Sequence, residues 1–204
     1  MVKMRKVYVY VEGGGQRESL RKACRRGFSK FLDKAGFEGR MPKVVACGSR
    51  NDAFDSFVTA IGQGKSAVLL VDSEDRLRDD SPAKHLSLRD QWALADDLDE
   101  QVHLMVQCME NWFLADKEAL AEFFGQGFQS SGLPANPNVE EISKTDVIAG
   151  LRQATRAAKN KGQYSKGAHS FAILALIDPA KVKAAAPYAM RLFLYLHQAL
   201  GADE

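Results

Sequence analysis

Hydrophobic positions along this chain alternate between two spacings. Lys-Val-Tyr-Val-Tyr-Val, residues 6–11, is a β-branched and aromatic run that ends at Glu12-Gly-Gly-Gly15. Such a run before a glycine turn predicts a buried strand. From Gln16 to Ala35 the apolar residues Leu20, Ala23, Cys24, Phe28, Phe31 and Leu32 recur at helical spacing, and Gly36 supplies a stop. Val44-Val45-Ala46 predicts a second strand, with Pro42 tolerable at its start. Ser49-x-x-Asp52 has the form of a capping box and predicts a helix to about Ile61. Ala67 to Val71 predicts a third strand ending at Asp72, and Val102 to Val106 a fourth.

Between the third and fourth strands the charged segment 73–100 reads as a surface excursion with a helix near Leu88 to Leu98. Beyond the fourth strand the spacing is helical: Met109 to Phe124, Lys144 to Lys159, and two further helices around Pro179 and Pro187. The β-α-β-α-β order of the first part implies a doubly wound, mainly parallel four-stranded sheet covered by helices. Gly125 to Glu140, rich in Gly, Ser, Pro and Asn, is the best hinge. The expected organisation is an α/β domain over residues 1–124 and a helical C-terminal extension over 125–204 packed on the same domain.

Composition narrows the class. With 204 residues, 46% of them hydrophobic, the chain is long enough to bury a core without staples. A net charge of +2 does not by itself announce a nucleic-acid binder. The three cysteines, Cys24, Cys47 and Cys108, are odd in number and form no C-x-x-C pair, which argues against a disulfide framework or thiolate zinc site and fits a reducing cytoplasm. The apolar run 7–11 is too short for a signal-peptide core or a membrane span, so a cytoplasmic protein without membrane partner is expected.

Open parallel sheets bind ligands outside the carboxyl ends of their strands. Glu12 follows the first strand and Asp72-Ser-Glu-Asp75 follows the third. In a doubly wound sheet these strands are natural neighbours, so Glu12 and Asp72 are expected to converge. Carboxylates packed together repel unless a cation or proton lies between them, and Mg²⁺ takes one or two carboxylates with water and phosphate. Acidic residues after strands also cap helices or simply face water.

Gly13, Gly14 and Gly15 form neither a Walker loop nor a G-x-G-x-x-G fingerprint. They suit a tight strand-to-helix turn and, equally, a phosphate approached by backbone N–H groups at a helix N-terminus. Glu110, just after the fourth strand, is the choice for a third active-site carboxylate; a helix N-terminal charge favoured by the macrodipole is the ordinary alternative. Trp112 and Phe113 read as core. Lys166, in a polar turn, could neutralise charge building on a phosphoryl group, and Arg50 lies on the same sheet edge; each is also readable as a surface residue. His169 could carry a proton but reads more readily as structural, and His85, His103 and His197 show no metal-ligand spacing. Arg21, Lys22 and Arg25 share one broad helical face beside the glycine turn and are the candidate nucleic-acid contacts.

Val11-Glu-Gly and the strand ending in Asp-x-Glu resemble the Toprim fold of primases, topoisomerases and overcoming-lysogenization-defect nucleases. More closely, Val11-Glu-Gly-Gly-Gly15, Leu69-Leu-Val-Asp-Ser-Glu-Asp75, His103 to Asp116 and Tyr164-Ser-Lys-Gly-Ala-His-Ser170 resemble domain-of-unknown-function family 4276. The resemblance implies that Glu12 takes the place of the Toprim glutamate, an acid/base or metal ligand, and that Asp72 and Glu74 take the place of a metal-binding Asp-x-Asp. Glutamate stands at the second position, where Glu74 ligates or Asp75 substitutes. The expected activity is Mg²⁺- or Mn²⁺-dependent phosphodiester cleavage of DNA or RNA, as the effector of an anti-phage system. The alternatives are a non-catalytic module that binds nucleic acid or a companion ATPase, and a phosphatase or nucleotide hydrolase with the same metal chemistry. Oligomeric state is not legible.

Overall fold

The computed structural model describes residues 6–77 and 79–201. Four strands form one parallel sheet: β1 (Tyr8–Gly14), β2 (Lys43–Gly48), β3 (Ala67–Asp72) and β4 (Val102–Met105), in the spatial order β2-β1-β3-β4. β1 is therefore central, with Tyr8 paired to Lys43 on one side and to Ala67 on the other. β3 continues the register by pairing Leu69 with Val102. Strand order reverses at β1, which is where an open α/β sheet opens its ligand crevice.

Side-chain alternation along the strands divides the core into two layers. Val9 and Val11 of β1, with Val68 and Leu70 of β3, face a large cluster shared with α1 (Glu18–Leu32) and the later helices. Tyr10, Leu69 and Val71 face a smaller one built with α2 (Arg50–Gly62) and α3 (Pro82–Asp90). Every residue of β3 is buried, as a near-continuous apolar strand covered on both faces must be. The large cluster also takes in Leu133, Val147, Leu174, Phe193 and Leu196, so the segment after residue 125 shares its core with the sheet. Trp112 and Phe113 lie at its centre, fully buried.

The remaining helices are α4 (Met109–Phe113), α5 (Lys117–Phe124), α6 (Lys144–Ala154), α7 (Lys166–Leu174), α8 (Pro179–Ala185) and α9 (Pro187–Ala199). The capping box at Ser49 is present: the Ser49 hydroxyl accepts the Asp52 N–H at 3.1 Å and the Asp52 carboxylate accepts the Ser49 N–H at 3.2 Å. The helix expected over 88–98 is displaced. α3 begins at Pro82, where Ser81 caps it by accepting the Lys84 N–H, and ends at Gln91, which adopts a left-handed backbone with φ of 59°. A 3₁₀ turn at Asp96–Gln101 follows. Serine before proline is a strong helix start, and it outweighs the apolar spacing around Leu94 and Leu98. The helix expected over 109–124 is two helices, because the Asp116 carboxylate caps a new one by accepting the Ala119 N–H at 3.3 Å. The helix expected over 144–159 ends at Ala154. There the Thr155 hydroxyl donates back to the Leu151 carbonyl and accepts the Tyr164 N–H. No helix among the described residues is long and apolar enough to cross a membrane.

Candidate metal centre

β1 delivers Glu12 and β3 delivers Asp72 to the same edge because the two strands are adjacent, parallel and in register. Carboxylate oxygens of Glu12, Asp72 and Glu74 all lie within 4.8 Å of one another. The Asp72 N–H donates to Glu12 Oε1 at 3.0 Å, which ties the ends of the two strands together. Asp72 is only 3% exposed, and its Oδ1 accepts the Met109 N–H at the start of α4 at 2.8 Å. Among the described residues its Oδ2 has no hydrogen-bond donor. The nearest cations, Lys166 at 3.7 Å and Lys144 at 3.9 Å, stand beyond bonding distance. Burial pushes the Asp72 carboxyl well above the usual range, and the neighbouring Glu12 and Glu110 charges add to that, against the pull of Lys166 and Lys144.

Glu74 is held differently. Its φ of 68° puts a non-glycine residue in the left-handed region, a conformation that costs on the order of 1–3 kcal/mol. Its N–H donates to the Gln107 carbonyl at 2.8 Å, and its carboxylate is bound by Lys144. Partial burial opposes ionisation, but the Lys144 bond and charge, with Arg50 and Arg89, outweigh it and lower the Glu74 pKa.

Arg50, the first residue of α2, spans the group. Nη1 donates to the Asp72 carbonyl at 3.0 Å and lies 3.7 Å from Glu12 and 3.6 Å from Glu74. Nη2 bonds Asp90 at 2.8 Å, and the guanidinium packs over Trp92 at 5.2 Å. Lys166, the first residue of α7, bridges Asp72 Oδ2 and Glu110 Oε2, the latter at 3.4 Å. Desolvation works against its charge, yet the Asp72 and Glu110 carboxylates raise its pKa. Glu110 is fully buried. Its Oε1 accepts the Tyr164 hydroxyl at 2.9 Å and the Ser170 hydroxyl at 3.1 Å, while Oε2 has no hydrogen-bond partner.

The glycine turn forms the floor beside these groups. A Cβ at Gly14, where φ is 86°, would stand 2.6 Å from the Arg21 nitrogen. A Cβ at Gly48, where φ is 97°, would stand 2.6 Å from the Gly15 carbonyl oxygen. Only glycine fits both. The resulting pocket, of about 230 Å³, is walled by Glu12, Gly13–Gly15, Arg50, Asp72, Lys166 and Phe171.

The structure thus gathers Glu12, Asp72, Glu74, Arg50 and Lys166, with Glu110 behind Lys166. Asp75 is not brought into the group. Its side chain is 68% exposed and pairs with Arg89 at 3.4 Å, so the expectation that it substitutes as a ligand gives way to Glu74. Arg21 packs half-buried against the glycine turn, whereas Arg25 and Lys22 are exposed, Lys22 pairing with Glu18 at 2.9 Å. His169 is structural, accepting the Ser165 N–H at Nδ1 and meeting Phe124 edge-on. Lys144, Tyr164, Ser170 and Asp90 were not singled out from sequence. Tyr164 and Ser170 lie in the same short stretch as Lys166, so that stretch carried their signal; Lys144 and Asp90 carried none.

The donors fit a hard divalent cation. They are carboxylate oxygens on adjacent strand ends, and Glu12 Oε2, like Asp72 Oδ2, is left without a hydrogen-bond donor among the described residues. Oxygen donors of this kind suit Mg²⁺ or Mn²⁺ rather than a thiophilic metal.

Fold and site together define an all-parallel α/β domain with an acidic cluster at the carboxyl edge of its sheet. The chain belongs to the DUF4276 family, a domain of unknown function, whose profile matches residues 11–197. Among solved structures, the C-terminal region of the Burkholderia pseudomallei OLD protein is similar in fold. The superposition has a TM-score of 0.52 at 17% identity and covers 97% of this chain and 99% of that one. No curated protein matches the sequence.

Proposed function

We propose that this protein is a Mg²⁺- or Mn²⁺-dependent nuclease that hydrolyses phosphodiester bonds of nucleic acid. The observation that carries the reading is the meeting of Glu12, Asp72 and Glu74 within 4.8 Å at the switch point of the sheet, beside Lys166. The likeness of fold to the OLD C-terminal region supports it.

Glu12, Asp72 and Glu74 would hold the ion. A bound divalent cation supplies Lewis-acid polarisation of a phosphoryl oxygen and lowers the pKa of an attacking water. Asp72 carries its charge at a cost, being buried among other carboxylates, and a cation relieves that cost. Glu12, with Oε1 fixed by the Asp72 N–H and Oε2 turned to the cluster 3.7 Å from Arg50 Nη1, stands beside the ion, where it would also take a proton from the attacking water. Lys166 faces the pocket as a fixed positive charge for the phosphoryl oxygens in the transition state. Tyr164 and Ser170 hold Glu110, and Glu110 positions Lys166. Arg50 positions the ends of β1 and β3 through the Asp72 carbonyl and the Glu12 and Glu74 carboxylates. Gly13–Gly15 line the same pocket, and a side-chain-free turn there lets a phosphate approach the backbone.

The test is incubation with single-stranded DNA, duplex DNA and RNA in Mn²⁺ or Mg²⁺. Cleavage sensitive to chelation is expected, and Asp72→Ala should abolish it while the circular dichroism spectrum stays unchanged. An Asp72→Ala protein that still cuts would refute the metal assignment. Release of phosphate from mononucleotides, with polymers left whole, would move the reading to a nucleotide hydrolase.

A further inference from the structure

The walls of the metal pocket continue beyond the carboxylates. Gly13–Gly15, Lys166 and Phe171 are shared with a second depression that runs past Arg17 and Leu20. Phe171 is shared again with a groove of about 600 Å³ between α1 and α7. The first two cavities adjoin along Gly13–Gly15 and Lys166, and the groove meets them at Phe171, so the three follow one another along α1 from the acidic cluster.

The groove has a small, apolar floor and a basic rim. Ala23 and Gly27 from α1 face Ala172 and Ala175 from α7 and its C-cap. A Cβ at Gly27 would stand 2.7 Å from the Phe171 carbonyl oxygen, so the two backbones meet there and fix the floor. Lys22, Arg26 and Lys30 stand along one side at i, i+4, i+8; Lys22 pairs with Glu18 at the groove's edge, and no acidic side chain is among the groove's lining residues. Successive residues of this stripe are about 6 Å apart along the helix axis, comparable with the separation of phosphates along an extended strand. Arg26 and Lys30 are exposed and make no ion pair among the described residues. Phe123 closes the far wall, half-buried, with the Lys161 ammonium 5.1 Å from its ring centre.

We propose that a single nucleic-acid strand leaves the metal site over Gly13–Gly15 and lies in the α1–α7 groove, its phosphates against Lys22, Arg26 and Lys30 and a base against Phe123. This rests on the nuclease reading for the identity of what sits at the metal, and it adds which surface holds the substrate and in which form. A basic groove with aromatic walls is how single strands are held without sequence preference. A bare acidic peptide would satisfy the charges but not the continuity with a phosphate-handling pocket. The stripe differs from the Arg21–Arg25 stripe on the same helix, neither of whose residues lines the groove.

The experiment is fluorescence anisotropy with a labelled oligothymidylate and a labelled duplex, in chelator to prevent cleavage, across a range of salt. Wild-type protein should bind the single strand more tightly than the duplex. Arg26→Gln combined with Lys30→Gln should flatten the plot of log affinity against log salt by about 1.4, the loss of two single-strand phosphate contacts at about 0.7 each. Ala172→Glu, a carboxylate set on the exposed groove floor, should weaken binding at least tenfold. Both variants should keep the wild-type rise in melting temperature with Mn²⁺, which shows that they fold and that the metal centre is untouched. An unchanged slope and affinity in both variants overturns the groove, as does preference for the duplex or absence of strand binding by the wild type. In each of those cases a surviving Mn²⁺ effect leaves the metal centre standing. Loss of the Mn²⁺ effect in the wild type would sink the metal centre alone, and the salt slopes would still judge the groove.

Discussion

Asp72 shows most directly how one side chain ties stability to chemistry. Its backbone N–H and Oδ1 are bonded, whereas Oδ2 points among charges it does not touch closely. Its folded-state pKa is raised above the unfolded value. For an acid shifted upward, the stabilising contribution is complete below the unfolded pKa and is lost as pH rises through the folded one. At neutral pH and without metal this residue therefore weighs against the fold. Asp72→Asn keeps an acceptor for the Met109 N–H and removes the charge. It should raise the melting temperature in chelator at pH 7 by a few degrees, at about 2–4 °C per kcal/mol for a domain of this size. Differential scanning calorimetry checks this, and a variant that melts lower in chelator contradicts it. The prominence of Asp72 was legible in sequence as an acidic residue closing a wholly apolar run. Its lysine partners were not, since Lys144 and Lys166 come from helices far along the chain and meet Asp72 only through tertiary packing.

Helix termini place most of the site. α2 begins at Arg50, α4 begins beside Glu110, and α7 begins at Lys166, so three helix starts converge on the carboxyl edge of the sheet. The start of α2 was readable because its capping box is local. The start of α7 was not, because Ser165 makes no side-chain cap and the helix is set by packing against α1. α9 shows a start with a pH dependence. Both oxygens of buried Glu140 accept the Tyr188 N–H, at 3.0 and 3.2 Å. Burial, and to a lesser degree Glu141, push the Glu140 carboxyl up from 4.5 to about 7, against the bonds from the N–H groups of Tyr188 and Ala189. The shift is upward, so this cap favours the fold fully below pH about 4.5 and loses its advantage as pH rises through about 7. The difference is on the order of 3 kcal/mol at 1.36 kcal/mol per unit. Glu140→Gln should flatten the stability profile between those limits in urea titrations. A profile as steep as that of the wild type would show that Glu140 is not the group responsible.

For the whole molecule, the metal reading predicts linkage between ion binding and folding. An ion that binds only the folded state stabilises it by about 2.7 kcal/mol at one hundred times its dissociation constant. That corresponds to a rise in melting temperature of about 5–11 °C for a domain of this size. Mn²⁺ titrated into the chelator-treated protein should give this rise, and Asp72→Asn should not respond. Equal melting with and without Mn²⁺ would mean that the carboxylates do not form a cation site. The proposed strand groove belongs to this scale too, since neither α1 nor α7 makes it alone.

By itself the sequence determined the four strands, their parallel order and the acidic residues at their ends, because these follow from local patterns: apolar runs, period-two alternation, glycine and a capping serine. It also placed Glu12 and Asp72 on one edge, since strand direction and adjacency dictate that without side-chain detail. Tertiary structure alone decided which neighbours those carboxylates meet. Asp75 turns outward to Arg89 because the chain reverses into the left-handed region at Glu74, and Glu74 is drawn to Lys144. Glu110 is buried on Tyr164 and Ser170 because α7 packs across α1 and brings them there. Such contacts join residues dozens of positions apart, and no periodicity records them; they exist only once a shared core has set the distances between helices.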